Sequence, residues 1–393
     1  MRPASISWER AAEVREAAAG WLRAGVIGRP TYEAVLDAHP DPCLTPSAVW
    51  RILTAGMVTA VTLFTLGALG LALGAGSTAL SLLLVALGAT ALVVAEHLDR
   101  SPRFARRGAA GTAAFWGGVF VLVGLGILLR EHWTASSRAL DVVLAASAVV
   151  WAVSCWRWGS PLFAGLSAVS LFVLLGRMPL GRALWLLAGA ALVGLVARLP
   201  DDPAWAPSHR RAAMVLLVVG LGAAYVAINV YSLDGRFIEE LATPAPTPSA
   251  PPPWLFALAA IGTAVLPLVV LLWGWRSRRT VVLDTGIVLT ALSLVTLRHY
   301  GRIGPLWAVL IVSGAALIVL ALAVERALRR GPSRERGGFT AEPLFSDERR
   351  ARTLETVPVV AGLTPAARVT ATDEEGFAGR GGSFGGGGAS DRF

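Results

Sequence analysis

The sequence predicts an all-α, polytopic transmembrane helix bundle of about ten spans, with a small N-terminal helical hairpin and a disordered Gly-rich tail. Composition is the first ground. Of 393 residues 55% are hydrophobic and 16% charged, whereas soluble chains carry about 25% charge. Too few polar side chains remain to cover a water-facing surface. The second ground is the recurrence of apolar runs near the roughly 20 residues that cross hydrocarbon. The third is that arginine and tryptophan collect where those runs end.

All 35 basic residues are arginine, and the net charge is +9. With so much alanine and glycine, the missing lysine reflects a GC-rich genome. The expected partner of this charge is the lipid bilayer rather than nucleic acid, because arginine in short loops orients membrane helices. Two cysteines, Cys43 and Cys155, imply no disulfide framework. The charged N-terminal segment has no cleavable-signal pattern, so the first apolar span is expected to be retained.

Residues 1–48 are expected to form a cytoplasmic helical hairpin. Over residues 7–24, Ala11, Val14, Ala18, Trp21 and Leu22 share one helical face. Gly25 stands where a left-handed C-cap belongs. Pro30 suits the first turn of a second helix with Tyr32, Val35 and Leu36 on its apolar side. No cluster of base-reading residues sits on that helix, so a docking or lid module is expected rather than DNA binding.

Ten spans are predicted near 50–73, 77–96, 109–129, 139–156, 160–176, 180–197, 212–232, 254–275, 280–298 and 305–325. Those at 139–156, 160–176 and 180–197 are short. The bundle thus divides into 49–232 and 254–328, separated by a Pro-rich external loop at 233–253 with a short helix expected around Phe237–Leu241. With the N-terminus inside, eleven loop arginines fall inside: Arg100, Arg103, Arg106, Arg107, Arg157, Arg198, Arg210, Arg211, Arg276, Arg278 and Arg279. Seven fall outside: Arg130, Arg138, Arg177, Arg182, Arg236, Arg298 and Arg302. The bias predicts a multi-pass inner-membrane protein with both termini cytoplasmic. Trp50, Trp133, Trp156, Trp158, Trp254, Trp273, Trp275 and Trp307 lie near span ends, at headgroup level. No internal repeat supports an inverted-repeat transporter.

Residues 329–393 are polar and increasingly Gly-rich, and a flexible cytoplasmic tail is expected. The closing stretch GGSFGGGGASDRF lacks the strand and helix that flank a phosphate loop. Residues 1–48 and this tail are the surfaces offered to a protein partner.

WLRAGVIGRPTYEAVL, just ahead of a many-span region, resembles the N-terminal helix pair of an uncharacterised family of bacterial multispanning membrane proteins, the domain-of-unknown-function 2157 type. Trp21, Ala24, Gly25, Val26, Ile27, Tyr32 and Glu33 carry the resemblance, and Arg29-Pro30 departs from it. It covers about 50 residues closely and implies a membrane protein without an established activity. The Gly-rich tail is similar to the tails of TPM-domain proteins, although no TPM domain is visible.

No catalytic residue, cofactor or metal set is predicted, and no H-E-x-x-H, G-x-S-x-G, C-x-x-C or P-loop occurs. His39, Asp41 and Cys43 make an H-x-D-x-C spacing without a second cluster. Ionisable groups inside spans are the default functional candidates. Asp284 is the foremost, either as a proton- or cation-binding carboxylate beside Thr285 or as a headgroup-level partner of Arg276, Arg278 or Arg279. Asn229 and His299 complete the ligand- or ion-binding candidates, Asn229 also suiting an interhelical hydrogen bond. Glu96 and Asp141 lie nearer span ends, and Arg182 is placed to snorkel. Gly117, Gly118, Gly124 and Gly126, like the Gly70–Gly74 pair, read as helix-packing positions. The scarcity of buried charge predicts a non-enzymatic scaffold or sensor. The alternative is a transporter or channel for a small or lipophilic solute using Asp284, which requires a polar cavity lined by Asp284, Asn229 or His299.

Overall fold

Helix α1 starts earlier than the apolar pattern alone indicates, running Pro3–Arg23, and closes as its sequence requires. Gly25 adopts φ 69°, its N–H donating to Leu22 O at 3.1 Å while Val26 N–H donates to Trp21 O at 2.9 Å. This pair of bonds is the Schellman arrangement, which needs a left-handed residue. Helix α2, Arg29–Ala38, begins with its proline in the first turn. Tyr32, Val35 and Leu36 are among its partly covered side chains, and Arg15 ties the two helices by donating to His39 O at 3.2 Å.

The computed structural model describes residues 3–23, 25–40, 48–73, 77–100, 109–132, 136–199, 205–234, 237–241 and 252–301, with isolated positions between 311 and 340. The bundle helices are α3 (Ala48–Leu73), α4 (Ser77–Arg100), α5 (Ala109–His132), α6 (Ser136–Trp158), α7 (Pro161–Gly176), α8 (Gly181–Val196), α9 (Pro207–Ile228), α10 (Val230–Asp234), α11 (Pro253–Ser277) and α12 (Thr280–Gly301). A 3-10 turn, Glu239–Leu241, falls within the segment where a short helix is expected. A two-residue antiparallel ladder pairs Glu335 with Thr340 and Arg336 with Phe339, so part of the tail has local order. The rest of the tail, the 305–325 span apart from isolated positions, Gly74, Asp41 and Cys43 lie outside the described residues.

Among the described residues six helices, α4, α5, α6, α9, α11 and α12, are long and apolar enough to cross a membrane, as a membrane protein requires. Helix α6 is longer than its predicted span, adding Ser136, Ser137 and Arg138 at its start and Arg157 and Trp158 at its end. Helices α7 and α8 have 16 residues each, about 24 Å of rise against a hydrocarbon core of about 30 Å. Pro161 starts α7, and Met178-Pro179 separates it from α8, so neither can lengthen at that turn.

Helix α9 is the most enclosed of these six, half of its apolar window being buried against 17% for α6. Its Leu217, Leu221 and Tyr225 share a core cluster with Val270 of α11 and Val282 and Leu289 of α12. On its other side Ala223 and Ala227 pack with Phe172 and Trp185. The core therefore runs continuously across the 233–253 loop. A separate cluster of Ala95, Ala114, Trp151 and Phe163 joins helices α4 to α7.

Close helix approach has a local cause at α4 and α5. A Cβ on Gly88 would stand 2.7 Å from Gly117 O, and one on Gly124 would stand 2.7 Å from Ser81 O. Only glycine fits where backbone meets backbone. Gly118 instead makes room for the Trp151 ring. Much apolar surface faces outward, with Trp50, Phe64, Val93, Trp156, Leu195 and Leu272 exposed. In a bilayer that surface meets lipid tails of equal polarity.

Candidate functional site

The helical ladder stops at Asn229, between α9 and α10. Its backbone is extended there, φ −61° and ψ 131°. Asn229 N–H closes α9 by donating to Tyr225 O at 2.8 Å. Its Oδ1 then accepts from Tyr231 N–H at 2.9 Å and Ser232 N–H at 3.3 Å, capping α10. Val230 N–H donates to Thr263 Oγ1 at 3.1 Å. The orphan donors of a helix start inside the bundle are thus satisfied by side chains.

The Asn229 amide also binds the bundle together. Its Nδ2 donates to Tyr225 Oη at 2.8 Å and Thr296 Oγ1 at 3.2 Å. Tyr225 Oη lies 3.0 Å from Ser293 Oγ, which donates to Thr263 O at 2.7 Å. Asn229, Tyr225, Thr263, Ser293 and Thr296 are all buried, so this uncharged network links α9, α11 and α12. A small cavity of about 270 Å³ touches it, bordered by Asn229, Tyr225, Thr296 and Phe237. Amide and hydroxyl groups can donate to and accept from a polar ligand there, which orients it without supplying a carboxylate or imidazole for proton transfer.

Arg182 serves the other side of the break. It donates to Ala227 O and Ser232 O, each at 2.8 Å, one carbonyl before the break and one on α10. It is directed into the bundle rather than snorkelling outward. Arg177 pairs with Asp141 of α6 and donates to Leu241 O at 3.2 Å. Between these arginines, the end of α9 and the start of α11 lies a cavity of about 1010 Å³. Apart from the two arginines its lining side chains are apolar, among them Leu186, Ile228, Ile238, Trp254 and Leu258.

Of the predicted site residues, the structure brings only Asn229 into a polar cluster. Asp284 is exposed, one turn into α12, and borders neither cavity. Arg279 in the preceding turn donates to Ala197 O. Thr285 is satisfied within its own helix by Val281 O at 2.7 Å. His299 is exposed, its ring 6.0 Å from that of Tyr231 and 5.0 Å from that of Tyr300. Glu96 meets Arg157 at 2.7 Å and Arg100 at 3.3 Å, a cluster that joins α4 to α6. An Asp284→Asn variant is therefore expected to unfold within about 0.5 kcal/mol of the parent, measured by equilibrium unfolding in mixed micelles.

Neither the break nor the inward course of Arg182 is evident from the sequence. One signal is present: asparagine is among the strongest N-cap residues, and Asn229 stands alone in an apolar run. Among the described residues no group of three His, Cys, Asp or Glu side chains is placed to hold a metal ion. Comparison with family models, with curated proteins and with solved structures finds no match to this chain.

Proposed function

We propose that the chain is a non-enzymatic sensor or scaffold of the bacterial inner membrane, with both termini cytoplasmic and the N-terminal hairpin as its responsive arm. The observation that carries this reading is the docking of α1 on the first turn of α9. Glu9 Oε2 accepts from Ser208 N–H at 3.0 Å, and Glu13 Oε2 meets Arg210 at 2.5 Å. A carboxylate at a helix N-terminus is favoured by the orphan N–H groups and the helix dipole. The Glu13–Arg210 pair is partly exposed, at 48% and 24%, so its contribution is discounted to about 0–1 kcal/mol. Such contacts hold an arm reversibly. The docked helix α9 is the same one whose far end breaks at Asn229, so a change at the break has a rigid route to the arm.

The exposed position of Asp284 also favours this reading over solute transport through that residue. The arginine bias, eleven against seven, supports the orientation. Residues 1–48 and the tail are the surfaces proposed for a protein partner.

The test is hydrogen exchange on α1 in proteoliposomes. A Glu9→Gln/Glu13→Gln variant should exchange its α1 amides about tenfold faster, as should the parent at about 0.5 M salt, where surface charges are screened. Equal protection in parent and variant at both salt concentrations would remove the arm from the proposal.

A further inference from the structure

We propose that the cavity beside Asn229 binds a compact neutral carbonyl compound of the ketone or quinone class, with the Ser232 and Thr296 hydroxyls donating to its carbonyl oxygen. The inference is separate from the hairpin reading, because ligand binding and hairpin docking are measured independently.

The hydrogens of the polar network come first. Ser293 has one hydroxyl hydrogen and gives it to Thr263 O, so Tyr225 Oη must donate to Ser293 Oγ. Both hydrogens of Asn229 Nδ2 are used, one on Tyr225 Oη and one on Thr296 Oγ1. Among the described residues, the buried hydroxyl hydrogens left in the cavity lining are then those of Thr296 and Ser232. Ser232 is 7% exposed, and its Oγ is buried with no hydrogen-bond partner among those residues. An orphaned buried hydroxyl is costly and rare, so it calls for an acceptor. The two hydroxyls flank one side-chain amide: Ser232 N–H donates to Asn229 Oδ1, and Thr296 Oγ1 accepts from Asn229 Nδ2.

Charge and size then narrow the occupant. Among the described residues no charged side chain lines the cavity, so an ion finds no counter-charge there. At about 270 Å³ the space lies just below ordinary ligand pockets, roughly 300–1,000 Å³, which suits a single ring and not a diacyl lipid. Val226 and Leu292 supply apolar wall, and Tyr231 and Phe237, 61% and 56% exposed, edge it with aromatic rings. The count of hydrogens selects the polar group. A ligand oxygen that meets both hydroxyls makes two contacts, and Ser232 and Thr296 already bring two hydrogens. A carbonyl oxygen accepts both with its two lone pairs and adds none. An alcohol brings a third hydrogen, and water a third and a fourth, while Tyr225 Oη and Asn229 Oδ1 already accept from other donors. A surplus hydrogen stranded against the apolar wall weakens binding.

The experiment titrates the full chain, in alkyl maltoside micelles that contain no carbonyl group, with acetophenone isotope-labelled at its carbonyl carbon. The carbonyl NMR shift follows binding. The parent should bind one acetophenone per chain. Phenylethanol and ethylbenzene, which keep the skeleton but carry a hydroxyl or no oxygen, should displace it only at about tenfold higher concentration. Ser232→Ala should be as stable as the parent, since its hydroxyl has no partner to lose, yet bind acetophenone about tenfold more weakly. Leu292→Trp, at an exposed position of the lining, should abolish binding with both hydroxyls in place. No binding by the parent, displacement by either competitor at equal concentration, unchanged affinity in Ser232→Ala, or undiminished binding in Leu292→Trp would each overturn the proposal. If Leu292→Trp does not fold, the competitor series and Ser232→Ala decide the question.

Discussion

Replacing Asn229 by alanine is expected to destabilise the bundle by about 2–3 kcal/mol. Loss of a helix cap costs about 1 kcal/mol, and each buried polar group left without its partner adds about 1–3 kcal/mol where it cannot find another. The Tyr231 and Ser232 N–H groups lose their acceptor, and Thr296 Oγ1 loses a donor. Interhelical hydrogen bonds in bilayers average only about 0.6 kcal/mol, which keeps the total below the sum of these maxima. Equilibrium unfolding in mixed micelles reads the change. A loss below about 0.5 kcal/mol would mean that the network reorganises around the missing amide. The contrast with Asp284→Asn is informative, since the charged residue is exposed and the neutral one is buried.

Gly88→Val is expected to be the more damaging change, with a loss above about 3 kcal/mol or no monodisperse protein after extraction. The new Cβ would meet Gly117 O at 2.7 Å and Val121 N at 2.8 Å, both main-chain atoms that cannot rotate away. Helices α4 and α5 would have to separate. Gly126→Ala provides the comparison, because among the described residues its Cβ would find only Val143 Cγ2, at 3.6 Å. There the gain in helix propensity, about 1 kcal/mol, should leave the protein as stable as the parent or more so. Size-exclusion profiles and unfolding midpoints distinguish the two, and similar behaviour of both variants would show that the α4–α5 contact is not tight.

The features legible in the sequence are local. The Gly25 cap is readable because a left-handed residue is required where a helix ends, and φ 69° meets that requirement. The helix-packing role of Gly117 and Gly124 is readable because small residues in apolar spans have few other uses. The candidate site is less legible. Asp284 draws attention because charge in an apolar run is costly, but its helical phase puts it on the exposed side. Arg182 looks like a surface arginine near a span end, and its targets, Ala227 O and Ser232 O, lie 45 and 50 residues away.

By itself, the sequence determined that this is a chain of apolar helices with a capped hairpin ahead of them, because hydropathy, capping and glycine spacing act within a few residues. Only the tertiary structure decided that α9 is central, that it breaks at Asn229, and that two arginines border an apolar cavity beside the break. Those depend on which backbone groups the break leaves unpaired and on which distant side chains come close enough to satisfy them, a matter of helix packing that local sequence does not encode.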